Sequence, residues 1–295
     1  MEYVFIINPI SGSGSKQKTI DCIEKILGER NLEFTIVLTE YAGHATEIAQ
    51  QFSMKSNHVI VAVGGDGSVN EVAQGVMNSQ ASMAILPQGS GNGLARHLKI
   101  PMGIESAIYA LLDGENLVMD GGTLNGKHFF VTCGVGFDAE VSYNFSQRSL
   151  RGLLGYVKES ISLYPLYKSK KYRLISENKS SISEAFSISV ANASQYGNDA
   201  IIAKDASVSD GLLDLCIIKK FPKLLGVQVG VSMFLQNLHQ SKYYLGQKIK
   251  EVNIKSLENE TKCRAHIDGE SIETTFPIEI KVIPNLVKII APKIN

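Results

Sequence analysis

Residues 59–76 read VIVAVGGDGSVNEVAQGV, and this stretch constrains the fold more than any other. Five consecutive apolar residues, three of them valine, suit a strand covered on both faces, as inside a parallel sheet. Gly64, Gly65, Asp66 and Gly67 follow with almost no side chain, and helical spacing begins after them. A glycine cluster at the end of a buried strand belongs where a ligand or a second backbone comes very close. Short apolar runs also stand at residues 3–7, 34–38 and 83–86, with helical patterns over 16–29, 45–54, 69–77 and 104–112. Strand and helix alternating in this way predict a parallel sheet, whose ligands bind beyond the carboxyl ends of its strands.

Beyond Asp120 the pattern changes. Asn125-Gly126 between two strand-like runs signals a tight hairpin, and strands are predicted over 172–176, 186–191, 212–218, 249–254, 263–268, 278–282 and 286–290. Helical spacing returns only at 153–164 and 224–238, and the apolar run 226–238 could face a lipid entry path but reads first as core packing. The polar stretch SENKSSISE, 176–184, reads as a hairpin loop. The predicted organisation is an α/β nucleotide-binding domain over 1–120. A β-rich domain, sandwich-like, follows over 121–295, and its last strand can return to the first domain.

Lysine plus arginine balance aspartate plus glutamate at 29 each, so no global field draws the chain to nucleic acid or to an anionic membrane, and any such contact must be local. Four scattered cysteines without a CxxC pair suit reduced thiols rather than a disulfide frame or zinc site. No run approaches the ~18 apolar residues of a membrane span, and the N-terminus enters directly into a strand, which together predict a cytoplasmic protein.

Three loops could do chemistry. NPISGSGS (8–15) joins a strand to a helix and could hold a phosphate, or be an ordinary turn; it lacks the P-loop spacing. GGDGSVNE (64–71) has Asn70 where a dinucleotide fingerprint needs its third glycine, which argues against a Rossmann oxidoreductase. Asp66 there is either a helix cap or a carboxylate beside phosphate, the latter requiring a divalent cation or a protonated group. LPQGSGNGLARHL (86–98) repeats the arrangement with Gly89, Ser90 and Gly91. Three small-residue loops after strands of one parallel sheet form a shared rim, a bed for a polyphosphate. SVSDGLLDL and HIDGES set carboxylates beside glycine, either as hairpin turns or as site residues. Arg148 and Arg151, three apart, would share a helix face and could clamp phosphates or simply face solvent.

NPISG, GGDGSVNEV, LPQGSGNGLAR, GVGFDAEV, SDGLLDL and IDGE, in this order across nearly the whole chain, resemble the diacylglycerol kinase catalytic family, which includes bacterial lipid kinases, sphingosine kinases and ceramide kinases. The resemblance implies the fold shared with NAD kinases, ATP as phosphate donor with Mg²⁺, and a lipid acceptor met at the inner membrane surface. It implies that Asn8, Ser11, Gly12, Thr39 and Ser90 contact ATP. Gly64, Gly65, Asp66, Gly67, Ser68 and Asn70 would hold the phosphates and their Mg²⁺. Glu270 matches the general base of bacterial members and Asp66 that of sphingosine kinases, so the base lies open between the two. A further Mg²⁺ would map onto Ser207, Asp210 and the Leu212 carbonyl. Gly93 stands where many bacterial members carry aspartate, and Glu140 lies near an acidic residue that meets the lipid amine in sphingosine kinases. Both features lean toward a sphingoid base over diacylglycerol. A NAD kinase and a non-catalytic nucleotide-binding protein are the competing readings.

Overall fold

The computed structural model describes residues 1–12, 15–55, 57–148, 152–177, 179–258 and 260–293. The chain divides into two compact units, 1–119 with 285–295, and 120–284.

The first unit alternates β1 (Glu2–Ile7), α1 (Lys16–Glu29), β2 (Glu33–Leu38), α2 (His44–Ser53), β3 (His58–Gly64), α3 (Asp66–Val76) and β4 (Ser82–Pro87), then α4 (Gly93–His97) and α5 (Ile104–Asp113). β1 pairs in parallel with β2 and β3, and β3 with β4. All of β3 is buried, as its unbroken apolar run requires. Register decides what happens at the sheet's edge. Ile7 lies opposite both Leu38 and Val63, and Val63 opposite Leu86. β1 and β2 therefore end level at Ile7 and Leu38, β3 and β4 run one residue further to Gly64 and Pro87, and the loops open side by side from there. α3 begins at Asp66, three residues earlier than its apolar spacing suggests, because the Val69 amide bonds the Gly65 carbonyl at 3.0 Å and closes a first turn over the glycines.

β5 (Glu115–Leu124) leads into the second unit: β6 (Lys127–Phe129), β7 (Thr132–Gly136), α6 (Phe137–Ser146), α7 (Gly152–Leu163), β8 (Lys170–Ser176), β9 (Lys179–Ala191), β10 (Leu213–Lys219), α8 (Gly226–Phe234), β11 (Tyr244–Ile249), β12 (Glu251–Ser256), β13 (Lys262–Ile267), β14 (Glu270–Thr275) and β15 (Ile278–Ala291). Antiparallel pairs run β14-β13-β7-β9-β8-β12-β15, and β10 bridges β9 to β11. Asn125 and Gly126 both take positive φ, as a two-residue hairpin turn demands. The core gathers Phe129, Val135, Leu174, Ile188, Val190, Leu215, Val252, Ile254, Ile278 and Ile280 from facing strands. β15 pairs antiparallel with β12 through Ile278–Lys281, and its Lys288 pairs in parallel with Ser82 of β4, so the last strand ends in the first unit.

Two expectations differ from what is found. Residues 179–184 are strand rather than loop: β9 pairs with β8 from Lys179 onward, where Lys179 lies opposite Ser176. Their polarity reflects a solvent-facing ladder, because pairing satisfies the backbone whether or not the side chains are buried. The apolar run 226–238 is core packing only in part: Val229 and Leu238 join a buried cluster with Met233 packed against it, while Val227, Val231, Phe234 and Leu235 are exposed.

Candidate active site

The three loops of the first unit touch one another through backbone. A β-carbon on Gly89 would stand 2.5 Å from the Gly65 α-carbon, and one on Gly12 would stand 2.0 Å from the Gln88 carbonyl oxygen. Gly12 also has φ +66°, a left-handed conformation that disfavours any other residue. The bareness of the rim thus has a structural cause of its own, the mutual approach of its loops.

Asp66 joins two of them. Its Oδ2 accepts from the Asn92 amide at 2.9 Å and its Oδ1 from the Gly93 amide at 2.7 Å. The carboxylate thus caps α4, the helix that follows the next strand, instead of the helix it belongs to. Burial pushes the Asp66 carboxyl above its usual range, against the pull of those two amides. The first-turn amides of α3 have no partner inside the helix and lie at the rim with the positive end of the helix dipole.

Around this pair, Asn8 Nδ2 donates to the buried Ser68 hydroxyl at 3.2 Å, and the Ser11 hydroxyl donates to the Asn8 carbonyl at 2.9 Å. Thr39 is buried where β2 ends, and Ser90 is exposed. Asn70 turns along α3 and accepts from Gln74 at 2.6 Å. Lys16 was not singled out by its motif. Its Nζ donates to Ser11 Oγ at 3.2 Å and to Gln88 Oε1 at 2.5 Å, and burial lowers its pKa. These partners are neutral, so an ammonium stands at the rim without a carboxylate among the described residues. The signal was a lysine at the first position of α1, where the helix dipole disfavours a cation.

In the second unit Glu270 is exposed and opens β14 directly after a two-residue turn, Asp268 (φ 48°) and Gly269 (φ 87°). Asp268 accepts from the amides of Phe130 at 2.9 Å, Val131 at 2.8 Å and Thr132 at 3.0 Å, while Ser142 Oγ donates to the Gly269 carbonyl at 2.7 Å. The Asp-Gly pair is thus a true hairpin turn, and it fixes the position of the carboxylate beside it. Nearby, Asp138 Oδ2 accepts from Tyr196 at 2.9 Å and Ser189 at 3.0 Å and contacts His266 Nε2 at 3.0 Å. Burial acts to raise Asp138, but His266 and the two hydroxyls hold its carboxyl below the usual range.

Several site candidates are engaged elsewhere. Arg148 Nε bonds the buried Glu159 carboxylate at 2.9 Å, and Arg151 lies outside the described residues. Glu140 is neutralised by Arg264, 2.5 Å away, whose guanidinium also stacks 3.6 Å from the Tyr143 ring centroid. The residues proposed for a second Mg²⁺ do not fit one. Lys248 Nζ lies 2.8 Å from Asp210 Oδ2, 3.0 Å from Asp214 Oδ2 and 3.2 Å from the Asp205 carbonyl, so an ammonium already fills that oxygen cluster. Asp210 Oδ1 accepts from the Leu212 amide at 3.0 Å, and Ser207 Oγ receives the Ser209 amide at 3.4 Å. No group of three histidine, cysteine or acidic side chains among the described residues is arranged around a cation. At the rim the donor set differs: one carboxylate, Asp66, suits a Mg²⁺ that is carried mainly by phosphates.

Comparison with known proteins bears on the family and the fold. Residues 2–124 match the family model for the diacylglycerol kinase catalytic domain, and 131–291 that for the YegS C-terminal NAD kinase beta sandwich-like domain. A diacylglycerol kinase of Bacillus subtilis is 27% identical over 90% of this chain and 88% of its own. An uncharacterized protein of Synechocystis is 28% identical over 98% of this chain and 70% of its own. The crystal structure of a diacylglycerol kinase from Bacillus anthracis shares the fold, with a TM-score of 0.77 over 98% of this chain and 96% of that one at 21% identity. With an α/β unit and a β-sandwich-like unit each matched along its length, the chain belongs to the diacylglycerol kinase family and is a lipid kinase.

Proposed function

We propose that the protein transfers the γ-phosphate of ATP to the free hydroxyl of diacylglycerol. The observation that carries this reading is the Asp66 carboxylate held by the amides of Asn92 and Gly93 at the junction of two glycine loops. Phosphoryl transfer asks a protein chiefly for in-line placement and for charge directed at the phosphate oxygens. The first-turn amides of α3, the Asn8, Ser11 and Ser68 side chains and the Lys16 ammonium supply that placement. Mg²⁺, when bound, would neutralise charge on the β- and γ-phosphates, with Asp66 as its protein ligand. The acceptor oxygen bonds to the γ-phosphorus, the bond to the bridging oxygen breaks and ADP leaves. The hydroxyl proton passes late in the step to a carboxylate, Asp66 or Glu270.

The acceptor is diacylglycerol rather than a sphingoid base because Glu140, the one acidic residue that matched a lipid-amine contact, is neutralised by Arg264. An amine would find no unpaired charge there, whereas a neutral glycerol hydroxyl needs none. The curated relative from Bacillus subtilis, named diacylglycerol kinase, supports the same choice. The enzyme would work at the inner surface of the membrane, where diacylglycerol resides.

A panel assay tests the reading. Labelled ATP and Mg²⁺ are incubated with the protein and diacylglycerol, sphingosine, ceramide or NAD. Label on diacylglycerol is expected. NAD is included because the second unit matches a domain described as NAD kinase-like; label on NAD alone, or on nothing, overturns the proposal.

A further inference from the structure

The turn before α8 and the helix itself present apolar side chains to solvent. Leu224 is 96% exposed and Val227 80%, and Val231, Phe234 and Leu235 are exposed beyond them. Steps of three and four residues place these on one helical stripe. α7 carries a second stripe, Leu153, Val157 and Ile161, with Leu154 beside it and Leu166 just past its end, all exposed. The two are fastened together: Tyr164 OH donates to the Lys223 carbonyl at 2.7 Å, and Lys223 Nζ reaches the Pro165 carbonyl. A side chain at Gly226 would strike the Tyr164 ring, so close contact is built into this junction.

The segment that carries the α8 stripe is basic in sequence. From Leu215 to Lys250 there are six lysines and no aspartate or glutamate. Lys220 pairs with Glu184 and Lys248 with Asp210, while Lys219, Lys223 and Lys242 form no salt bridge among the described residues. The one acidic residue of α7, Glu159, is buried against Arg148. A soluble surface rarely leaves so many large apolar side chains together uncovered.

We propose that this face docks on an anionic lipid bilayer. The α8 stripe and the exposed residues of α7 enter the acyl boundary, and Lys219, Lys223 and Lys242 meet the headgroup phosphates. The docking face deepens the lipid-kinase reading and rests on it, since an acceptor with two acyl chains must be taken from a bilayer. A second copy of the chain is the rival occupant, and the lysines disfavour it because two such faces would repel.

The test uses the full chain and vesicles free of diacylglycerol: phosphatidylcholine alone, or with phosphatidylglycerol. The parent should co-sediment with the anionic vesicles. Leu224→Asn with Val227→Asn and Leu235→Asn should weaken that binding by about tenfold or more, and Lys219→Glu with Lys242→Glu by a similar factor. These side chains are exposed, so melting temperature and transfer to short-chain diacylglycerol in detergent micelles should be retained. A parent that ignores anionic vesicles, or an apolar variant that binds them as the parent does, overturns the proposal. So does a parent dimer on gel filtration that the apolar variant dissolves without any vesicle binding. Vesicle binding that follows these expectations in a protein inactive on micellar substrate upholds the docking face and sinks the kinase reading instead.

Discussion

Replacing Asp66 with asparagine tests the centre of the site. The carboxylate accepts two amide bonds, at 2.9 Å and 2.7 Å, each worth about 1.5–3 kcal/mol when the acceptor is charged. Asparagine keeps one acceptor and turns an amide group toward the other backbone N–H, so one bond is lost and one donor left facing a donor. Against that loss, the variant no longer buries a charge, and burial is the largest influence on this carboxyl. The two effects oppose, leaving a net destabilisation of about 1–2 kcal/mol, which a domain of ordinary stability tolerates. Turnover should fall by about 10²–10⁴-fold if Asp66 takes the hydroxyl proton. Initial rates of label transfer at saturating ATP, measured beside a thermal melt, separate the two. A folded Asp66→Asn protein whose rate stays within about threefold of the parent would remove Asp66 from the chemistry.

The pH dependence of stability follows from the raised pKa of Asp66 in the protein free of Mg²⁺ and nucleotide. Its contribution to stability is fully present below its unfolded pKa, about 3.9, and is lost as pH rises through the folded value. The difference in unfolding free energy between parent and variant, followed against pH, should move in that direction.

Gly89→Ala sets a β-carbon 2.5 Å from the Gly65 α-carbon and 2.9 Å from Asn92 Oδ1, contacts that only backbone movement can relieve. About 1–3 kcal/mol of stability should be lost in a denaturant melt and KM for ATP should rise; an unperturbed variant would show that the loops do not depend on that contact. Glu270→Gln keeps the size of an exposed side chain, and a large fall in kcat in a protein that still melts cooperatively would mark Glu270 as the base. Lys248→Met leaves Asp210 and Asp214 without their ammonium. The pair is partly exposed, so the loss should be about 1 kcal/mol, recovered by added Mg²⁺ or Ca²⁺ in a thermal-shift assay. A parent protein that melts earlier with chelator would contradict the assignment of Lys248 to this place.

The first unit was legible because β1, β3 and β4 are buried on both faces and their apolar runs leave no other reading. The second unit hides its strands. β7, TCGVG, carries two glycines because a β-carbon at Gly134 would stand 2.4 Å from the Ile188 carbonyl, and glycine erases the strand signal. β14, ESIETT, and the start of β9 are polar because they face solvent, and each pairs with the strand just before it, so its backbone is satisfied without an apolar face. α8 misled in the opposite sense: apolar content predicts burial only when something lies on top. At the site, the loops and their residues were legible as a rim. The partners of Asp66 were not, since they are backbone amides 26 and 27 positions away. Lys248 similarly reaches Asp214 only through the β10–β11 register, where the two residues lie opposite each other.

The bonds from Asn92 and Gly93 to Asp66 also make a spectroscopic handle. An amide proton held 2.7 Å from a carboxylate oxygen, heavy atom to heavy atom, is deshielded by its charge, so the Gly93 resonance should titrate with Asp66 and with no other group as directly. The protonation state of the candidate base can therefore be followed in the resting protein, with nucleotide added or withheld and no turnover at all.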